Sequence, residues 1–559
     1  MIAIHPQYLP LSKLLNDRLF RIPEYQRAYS WTSKERKDLF SDIRKTHAKG
    51  SEAGHFMAAA VCLRRGKQTL GTDEYQVLEV VDGQQRLTTL IVLLKAIVLA
   101  LNPKDKAEKK VLDELNDLLV KAETDELLLL QTNHDSSHYF VNYLRKGVSP
   151  PSAEAKMLAD KELLHAIEDC QEFVKEWRND SLMLTSLVAL LKNRLYFLLH
   201  EIEDEKSVYT VFEVLNSRGL DVSWLDRLKS ILMGAAFELK AAPNDAVIKE
   251  LHTIWRDIYS TVGLRQGMST EALRFAATLW ADEAPSRPLG EEDSVDMLRD
   301  GAVKAKEIRD VAQWLFQVTR ACNTVTANPR INAVTRIAQA RLLATAIYLR
   351  DDITARQRGA LLARWEKVSF RIYGMLGNDA RKRVGDYVRL AWSVVNEELT
   401  VKEIDAAILD IGEEFSIDHA VEALRNCNCY DEWEGELRYF MFRYEEYLAK
   451  QSGLNFSNEQ WEKIWMVSPA ESIEHILPKS KAPEKTKHRL GNLVLLPPRL
   501  NSKLQDDDPK DKTEAYRKTG LLIAGEVAAL INAKKKWSAK MIAEREDALL
   551  AWARTEWAD

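Results

Sequence analysis

The chain has 559 residues, 46% of them hydrophobic and 29% charged, and a formal net charge of -5. It is too long for one core at ~150 residues per domain, too rich in apolar residues for wholesale disorder, and not basic enough overall to attract nucleic acid without a local patch. The longest apolar run, Leu87 to Leu101, is broken by Thr88, Thr89 and Lys95 and falls short of the ~20 residues a membrane span requires, so no membrane partner is expected.

The first residues, Met1-Ile2-Ala3-Ile4-His5-Pro6, lack a charged start followed by an apolar stretch and a cleavage site. The five cysteines, Cys62, Cys170, Cys322, Cys427 and Cys429, contain no Cys-x-x-Cys pair, which argues against a disulfide framework and a thiolate zinc site. Both features lead to an expected cytoplasmic location.

In chain order, the first polar motif is Ile22-Pro23-Glu24-Tyr25-Gln26-Arg27-Ala28-Tyr29-Ser30-Trp31. Phe56 to Leu63 and Tyr75 to Val81 then read as apolar, β-branched strands, and Gln84 to Leu101 as a largely buried helix. Between them lies the second motif, Val81-Asp82-Gly83-Gln84-Gln85-Arg86-Leu87-Thr88-Thr89, which makes Asp82-Gly83 a strand-to-helix turn. Free N–H groups at such a helix start favour a phosphate; Asp82 could hold a metal there and Arg86 clamp oxyanions. No Gly-x-x-x-x-Gly-Lys-Ser/Thr loop occurs, so nucleotide chemistry must use another scaffold.

Residues 104–200 read as a helical insertion with a loop at Ser149-Pro150-Pro151-Ser152. Leu195 to Ile202 reads as a strand, followed by a helix over Val208 to Leu215, a turn at Asn216-Ser217-Arg218-Gly219 and a further helix through Lys229. Residues 236–415 are helical with little strand signal; there Lys382, Arg383 and Arg389 lie among Tyr387 and Trp392, a basic face able to follow a DNA backbone or a plain solvated surface.

Near the C-terminus, Ser472-Ile473-Glu474-His475-Ile476-Leu477-Pro478 reads as a short strand, Gly491-Asn492-Leu493-Val494-Leu495-Leu496 as a second, and Asn501 as the start of a helix. Phosphodiester cleavage needs a base for water, a cation for the phosphate charge, and a group that orients the base. His475 suits the base; the side-chain oxygens of Glu474 and Asn501 suit a hard cation such as Mg²⁺ or another divalent ion. Asn492 would shape the loop that holds His475. Because neighbouring strand residues face opposite ways, Glu474 and His475 are expected where the strand distorts. Lys479 to Lys540 holds 15 Lys/Arg against 7 Asp/Glu, a local basic excess, and Lys503 and Lys512 within it are candidate phosphate contacts.

The order and spacing of Glu474-His475-Ile476-Leu477-Pro478, Gly491-Asn492-Leu493 and Asn501 resemble the His-Me finger, or HNH, nucleases. That resemblance implies a ββα-metal fold with His475 as general base, Glu474 and Asn501 as metal ligands and Asn492 in support; Glu474 departs from the commoner Asp. The Asp82-Gly83-Gln84-Gln85-Arg86 motif, extended by Phe212-Glu213, Asn216-Ser217-Arg218-Gly219, Asp226 and Lys229, resembles the ParB-like domain of GmrSD-type modification-dependent restriction enzymes and related phage-defence nucleases. It implies binding and hydrolysis of a nucleoside triphosphate, GTP or another, by Asp82, Gln84, Gln85 and Arg86 with Gln26 and Arg27 nearby, while Tyr29 and Trp31 could stack on a DNA base or form an ordinary core edge.

The expected fold is α+β and predominantly helical: a ParB-like α/β sensor domain over 1–235, a helical connection over 236–415 and an HNH domain over 416–559. The expected partner is DNA, modified phage DNA in particular, with a homo-oligomer and partner proteins of a defence system left open. Two alternatives stand beside this reading, a DNA-binding module whose nuclease has decayed and a growth-arresting nuclease toxin.

Overall fold

The computed structural model describes residues 5–23, 29–50, 54–121, 126–131, 138–155, 158–180, 182–203, 223–238, 244–263, 267–425, 427–454, 456, 459–504 and 506–559. The chain forms two compact units, Met1–Leu273 with Glu291–Thr319, and Arg274–Gly290 with Arg320–Asp559. The protein is α+β and mostly helical, with its large mixed sheet in the first unit. Among the described residues no helix is long and apolar enough to cross a membrane.

The sheet of the first unit is built from β1 (His5–Pro10), β2 (Arg18–Ile22), β3 (His55–Leu70), β4 (Asp73–Asp82), β7 (Leu129–Gln131) and β8 (Leu195–Ile202), in the order β1-β8-β3-β4-β2-β7. The small strands β5 (Val120–Lys121) and β6 (Glu126–Leu127) pair with each other. β3 and β4 form an antiparallel hairpin, while β3/β8, β2/β4 and β2/β7 are parallel. Three strands of the large sheet, β1, β2 and β7, go beyond the sequence reading, as do β5 and β6, and β3 runs past the expected end at Leu63 because its polar half, Arg64 to Gln68, continues pairing with β4.

The helix Gln84–Ala100 follows β4 directly and is buried along almost its whole length, packing with Leu163, Ile167, Phe173 and Leu187 in one core. Its first turn depends on Gly83, whose φ of 90° is favoured by glycine. A Cβ there would also lie 3.1 Å from the Ala59 carbonyl oxygen on β3. The expected insertion contains the helices Lys106–Leu119, His138–Lys146, Leu158–Asn179 and Leu184–Arg194, but it also contributes β5, β6 and β7, the last of which joins the large sheet. β8 begins and ends where the sequence places it; the helix expected over 208–215 and the turn at 216–219 lie outside the described residues.

In the second unit, Arg383, Arg389, Tyr387 and Trp392 are on or beside the helix Val384–Asn396. Asp386 holds both arginines, with Glu414 also on Arg383. Tyr387 is buried with its hydroxyl 2.9 Å from that of Ser369, and Trp392 donates to the Ala281 carbonyl. The arginines are thus ion-paired and the aromatics packed. A small antiparallel pair, β9 (Ile473–His475) and β10 (Leu493–Leu495), followed by the helix Pro498–Leu504, carries the C-terminal motif.

Candidate functional sites

The two N-terminal motifs, far apart in sequence, meet. Ser30 N donates to Gln85 Oε1 at 2.9 Å, the Tyr29 and Thr89 hydroxyls are 2.7 Å apart, and the Arg86 guanidinium lies 5.8 Å from the Trp31 ring centre. Asp82 ends β4, and Arg86 sits in the first turn of the helix that follows. Burial pushes the Arg86 pKa down, opposed by the carboxylates of Asp82 and Asp42. Gln84 and Gln85 are buried. Gln26 and Arg27 lie outside the described residues.

Tyr29 and Trp31 are 3% and 7% exposed, which leaves little ring surface open to a DNA base. They are core side chains, and burial raises the Tyr29 pKa above its ordinary value. Arg36, which the sequence reading did not single out, holds this region in place. Its guanidinium, 1% exposed, binds Glu162 at 3.0 Å, Asp169 at 2.7 Å and the Trp31 carbonyl, tying the motif to the helix Leu158–Asn179. On the helix Trp224–Glu238, Asp226 accepts from Ser223 Oγ at 2.7 Å and from the Tyr259 hydroxyl, and the Lys229 ammonium lies 5.1 Å from the Tyr259 ring centre.

At the C-terminal site, β9 and β10 pair Leu493 with His475 and Val494 with Glu474. Asn492, fully buried, immediately precedes β10. Its Oδ1 accepts from Leu477 N at 2.9 Å, and its Nδ2 donates to the carbonyls of Leu477 and Lys487 at 3.1 and 2.9 Å. One side chain therefore clamps the loop that leaves His475. Asn501, on the helix Pro498–Leu504, donates through Nδ2 to the carbonyls of Glu471 and Ile473 at 2.9 and 3.1 Å, docking that helix on β9.

Glu474 and His475 occupy a regular strand, and their side chains meet different partners. Glu474 Oε1 is 2.6 Å from Lys512 Nζ and 3.3 Å from the Tyr516 hydroxyl. Burial pushes its pKa up, and the Lys512 charge works against that rise. The His475 imidazole instead lies beside His488, with Nε2 3.0 Å from Nδ1, and 4.6 Å from the Tyr430 ring centre. The expected distortion is unnecessary, because strand alternation sends the acid and the histidine to separate neighbours. Burial, followed by the charges of Lys479, His488 and Lys512, pushes the His475 pKa down to about 3.

Lys512, expected to touch DNA, is 0% exposed and donates also to the His475 carbonyl at 2.9 Å. A buried ammonium needs partners, and this one is held by the site's own strand. Lys503 is exposed. The sequence reading passed over His488, four positions before Asn492; Arg545, on the closing helix, donates from a buried guanidinium to the carbonyls of Gly491 and Leu493 at 3.1 and 2.8 Å. A second histidine so close to Gly491-Asn492-Leu493, in a chain with 11 histidines, was the available signal for His488.

A polar strand-to-helix turn on the large sheet near one end of the chain and a histidine site on a small ββα unit near the other are the two candidate sites. Two family descriptions match: the N-terminal domain of the GmrSD restriction endonuclease over residues 11–233, and the C-terminal domain of GmrSD restriction endonucleases over residues 415–552. The chain belongs to the GmrSD restriction endonucleases. No curated protein matches it.

Proposed function

We propose that this restriction endonuclease cleaves DNA at an HNH-type site in 416–559, under the control of a nucleoside triphosphate bound and hydrolysed by a ParB-like domain in 1–235, with 236–415 connecting them. The observation that carries the reading is the ββα arrangement in which Asn492 clamps the loop after His475 while Asn501 docks the following helix on the same strand.

His475 acts as the general base. Its depressed pKa keeps it neutral across the physiological range, and a DNA phosphate beside it adds negative charge that raises its proton affinity. Water gives a proton to the imidazole as its oxygen bonds phosphorus, and the leaving alkoxide takes a proton from solvent. Asn501 Oδ1 and the Glu474 carboxylate are hard oxygen donors suited to Mg²⁺ or a similar cation. The donor chemistry fits at Asn501, whose nitrogen is engaged by carbonyls and whose oxygen is left to face a cation, whereas the Glu474 carboxylate already holds the Lys512 ammonium and a cation there would share it with Lys512. Such a cation, when bound, supplies stabilisation of charge on the phosphate. Lys503 is an exposed phosphate contact.

Asp82, Gln84, Gln85 and Arg86 line the strand-to-helix turn where phosphate oxygens are favoured by the helix start, with Gln26 and Arg27 completing the set. Modified phage DNA is the substrate we favour, in a defence role. The test is nicking of supercoiled DNA, modified and unmodified, with Mg²⁺ or with chelator. Cutting that chelator abolishes is expected; cutting that chelator leaves intact contradicts the metal assignment.

A further inference from the structure

The direction of one hydrogen bond decides whether His475 can serve as a base. His475 Nε2 and His488 Nδ1 are 3.0 Å apart, and only one of them can carry the proton between them when both rings are neutral. If His488 Nδ1 donates, His475 is left protonated at Nδ1 with its lone pair consumed at Nε2, and it has no site for a proton from water. If His475 Nε2 donates, its Nδ1 lone pair is available.

Asp431 biases that choice. Its Oδ2 lies 3.9 Å from His488 Nε2, the nearer ring nitrogen, and the same oxygen is held by Asn428 Nδ2 at 3.0 Å. A carboxylate on that side favours a proton on His488 Nε2 and so leaves Nδ1 as an acceptor. Tyr430 fixes the ring planes. It stacks on His488 at 5.1 Å and 20°, and contacts His475 at 4.6 Å and 57°. Lys479 covers the Tyr430 ring, with Nζ 3.6 Å from the ring centre. The charged groups acting on the pair are Lys479, Lys512 and Asp431 at His475, and Asp431, Lys487, Lys479 and Glu484 at His488.

We propose that His488 is a positioning residue which, oriented by Asp431, holds the neutral His475 in the tautomer protonated at Nε2 and bare at Nδ1. The inference rests on the assignment of His475 as the base. It gives the site a three-member chain, Asp431 to His488 to His475, in which only the last member meets the attacking water.

The experiment measures kcat and KM for nicking of supercoiled DNA, modified and unmodified, by the full chain in Mg²⁺ with each nucleoside triphosphate, together with thermal unfolding, for the parent and for His488→Ala, His488→Asn, Asp431→Asn and His475→Ala. Asparagine can place a carbonyl acceptor near the position of Nδ1, so His488→Asn should restore most of the kcat that His488→Ala loses, a loss of ~10²-fold at little change in KM. Asp431 is exposed, so Asp431→Asn keeps the fold and should lower kcat in the same sense. Parent-like kcat in His488→Ala, equal loss in His488→Ala and His488→Asn when both melt like the parent, or parent-like kcat in Asp431→Asn where His488→Ala does not fold, overturns the positioning role. Parent-like cutting by His475→Ala, or no cutting by the parent, overturns the base assignment itself; an inactive His475→Ala beside an unimpaired His488→Ala overturns the positioning role alone.

Discussion

Lys512 Nζ lies 2.6 Å from Glu474 Oε1, and neither side chain is more than 5% exposed. Removing one partner of such a pair leaves an uncompensated buried charge, which costs ~3–5 kcal/mol. Lys512→Met should therefore destabilise the second unit by that amount in denaturant unfolding, and Lys512→Met with Glu474→Gln should recover part of it. Full stability in Lys512→Met would contradict the pairing.

Gly491 is a packing requirement. A Cβ at this position would come 2.0 Å from the Ile542 carbonyl oxygen on the helix Ala539–Glu556. Backbone cannot step aside as a flexible side chain can, so Gly491→Ala should cost ~1–3 kcal/mol and loosen the turn that carries Asn492. Thermal unfolding measures the first effect and nicking rate the second.

Gln85 joins the two N-terminal motifs through Ser30 N. Gln85→Leu removes the acceptor for that N–H, and because Ser30 is exposed and can turn to water the loss is that of an ordinary hydrogen bond, ~0.5–1.5 kcal/mol. We expect weaker nucleotide binding from that variant, and loss of hydrolysis from Arg86→Ala while the protein remains folded. Phosphate release and circular dichroism measure the two; unchanged hydrolysis in Arg86→Ala would remove this residue from the nucleotide site.

His252, on the helix Asn244–Val262, is held to a pKa of about 4 by burial and by the nearby Lys229 charge, against an ordinary 6.5. Its buried Nδ1 has no hydrogen-bond partner among the described residues. The unfolded chain then binds more protons than the folded one between these values, so stability at this group is present above pH 6.5 and is lost as pH falls towards 4. His252→Leu should flatten that part of the unfolding profile.

Much of this structure was legible in the sequence, for physical reasons that differ by element. Leu195–Ile202 and Gln84–Ala100 carry long apolar patterns that specify a strand and a buried helix by themselves. β1 contains two prolines and sits at a sheet edge, where proline is tolerated but erases the usual strand signature. β7 has three residues, and its pairing with β2 is set by tertiary packing. The order of Glu474, His475, Asn492 and Asn501 was readable, but the partner of each side chain was not. Composition marked Lys512 as basic and Tyr29 and Trp31 as aromatic; only the fold decides that all three are covered.

The most direct test of the nuclease account compares the parent chain with His475→Ala on supercoiled DNA, modified and unmodified, in Mg²⁺ with and without each nucleoside triphosphate. The account predicts cutting by the parent and its loss, by ~10²-fold or more, in a His475→Ala protein that melts like the parent. Equal cutting by the two proteins, or none by the parent on any substrate, would contradict it.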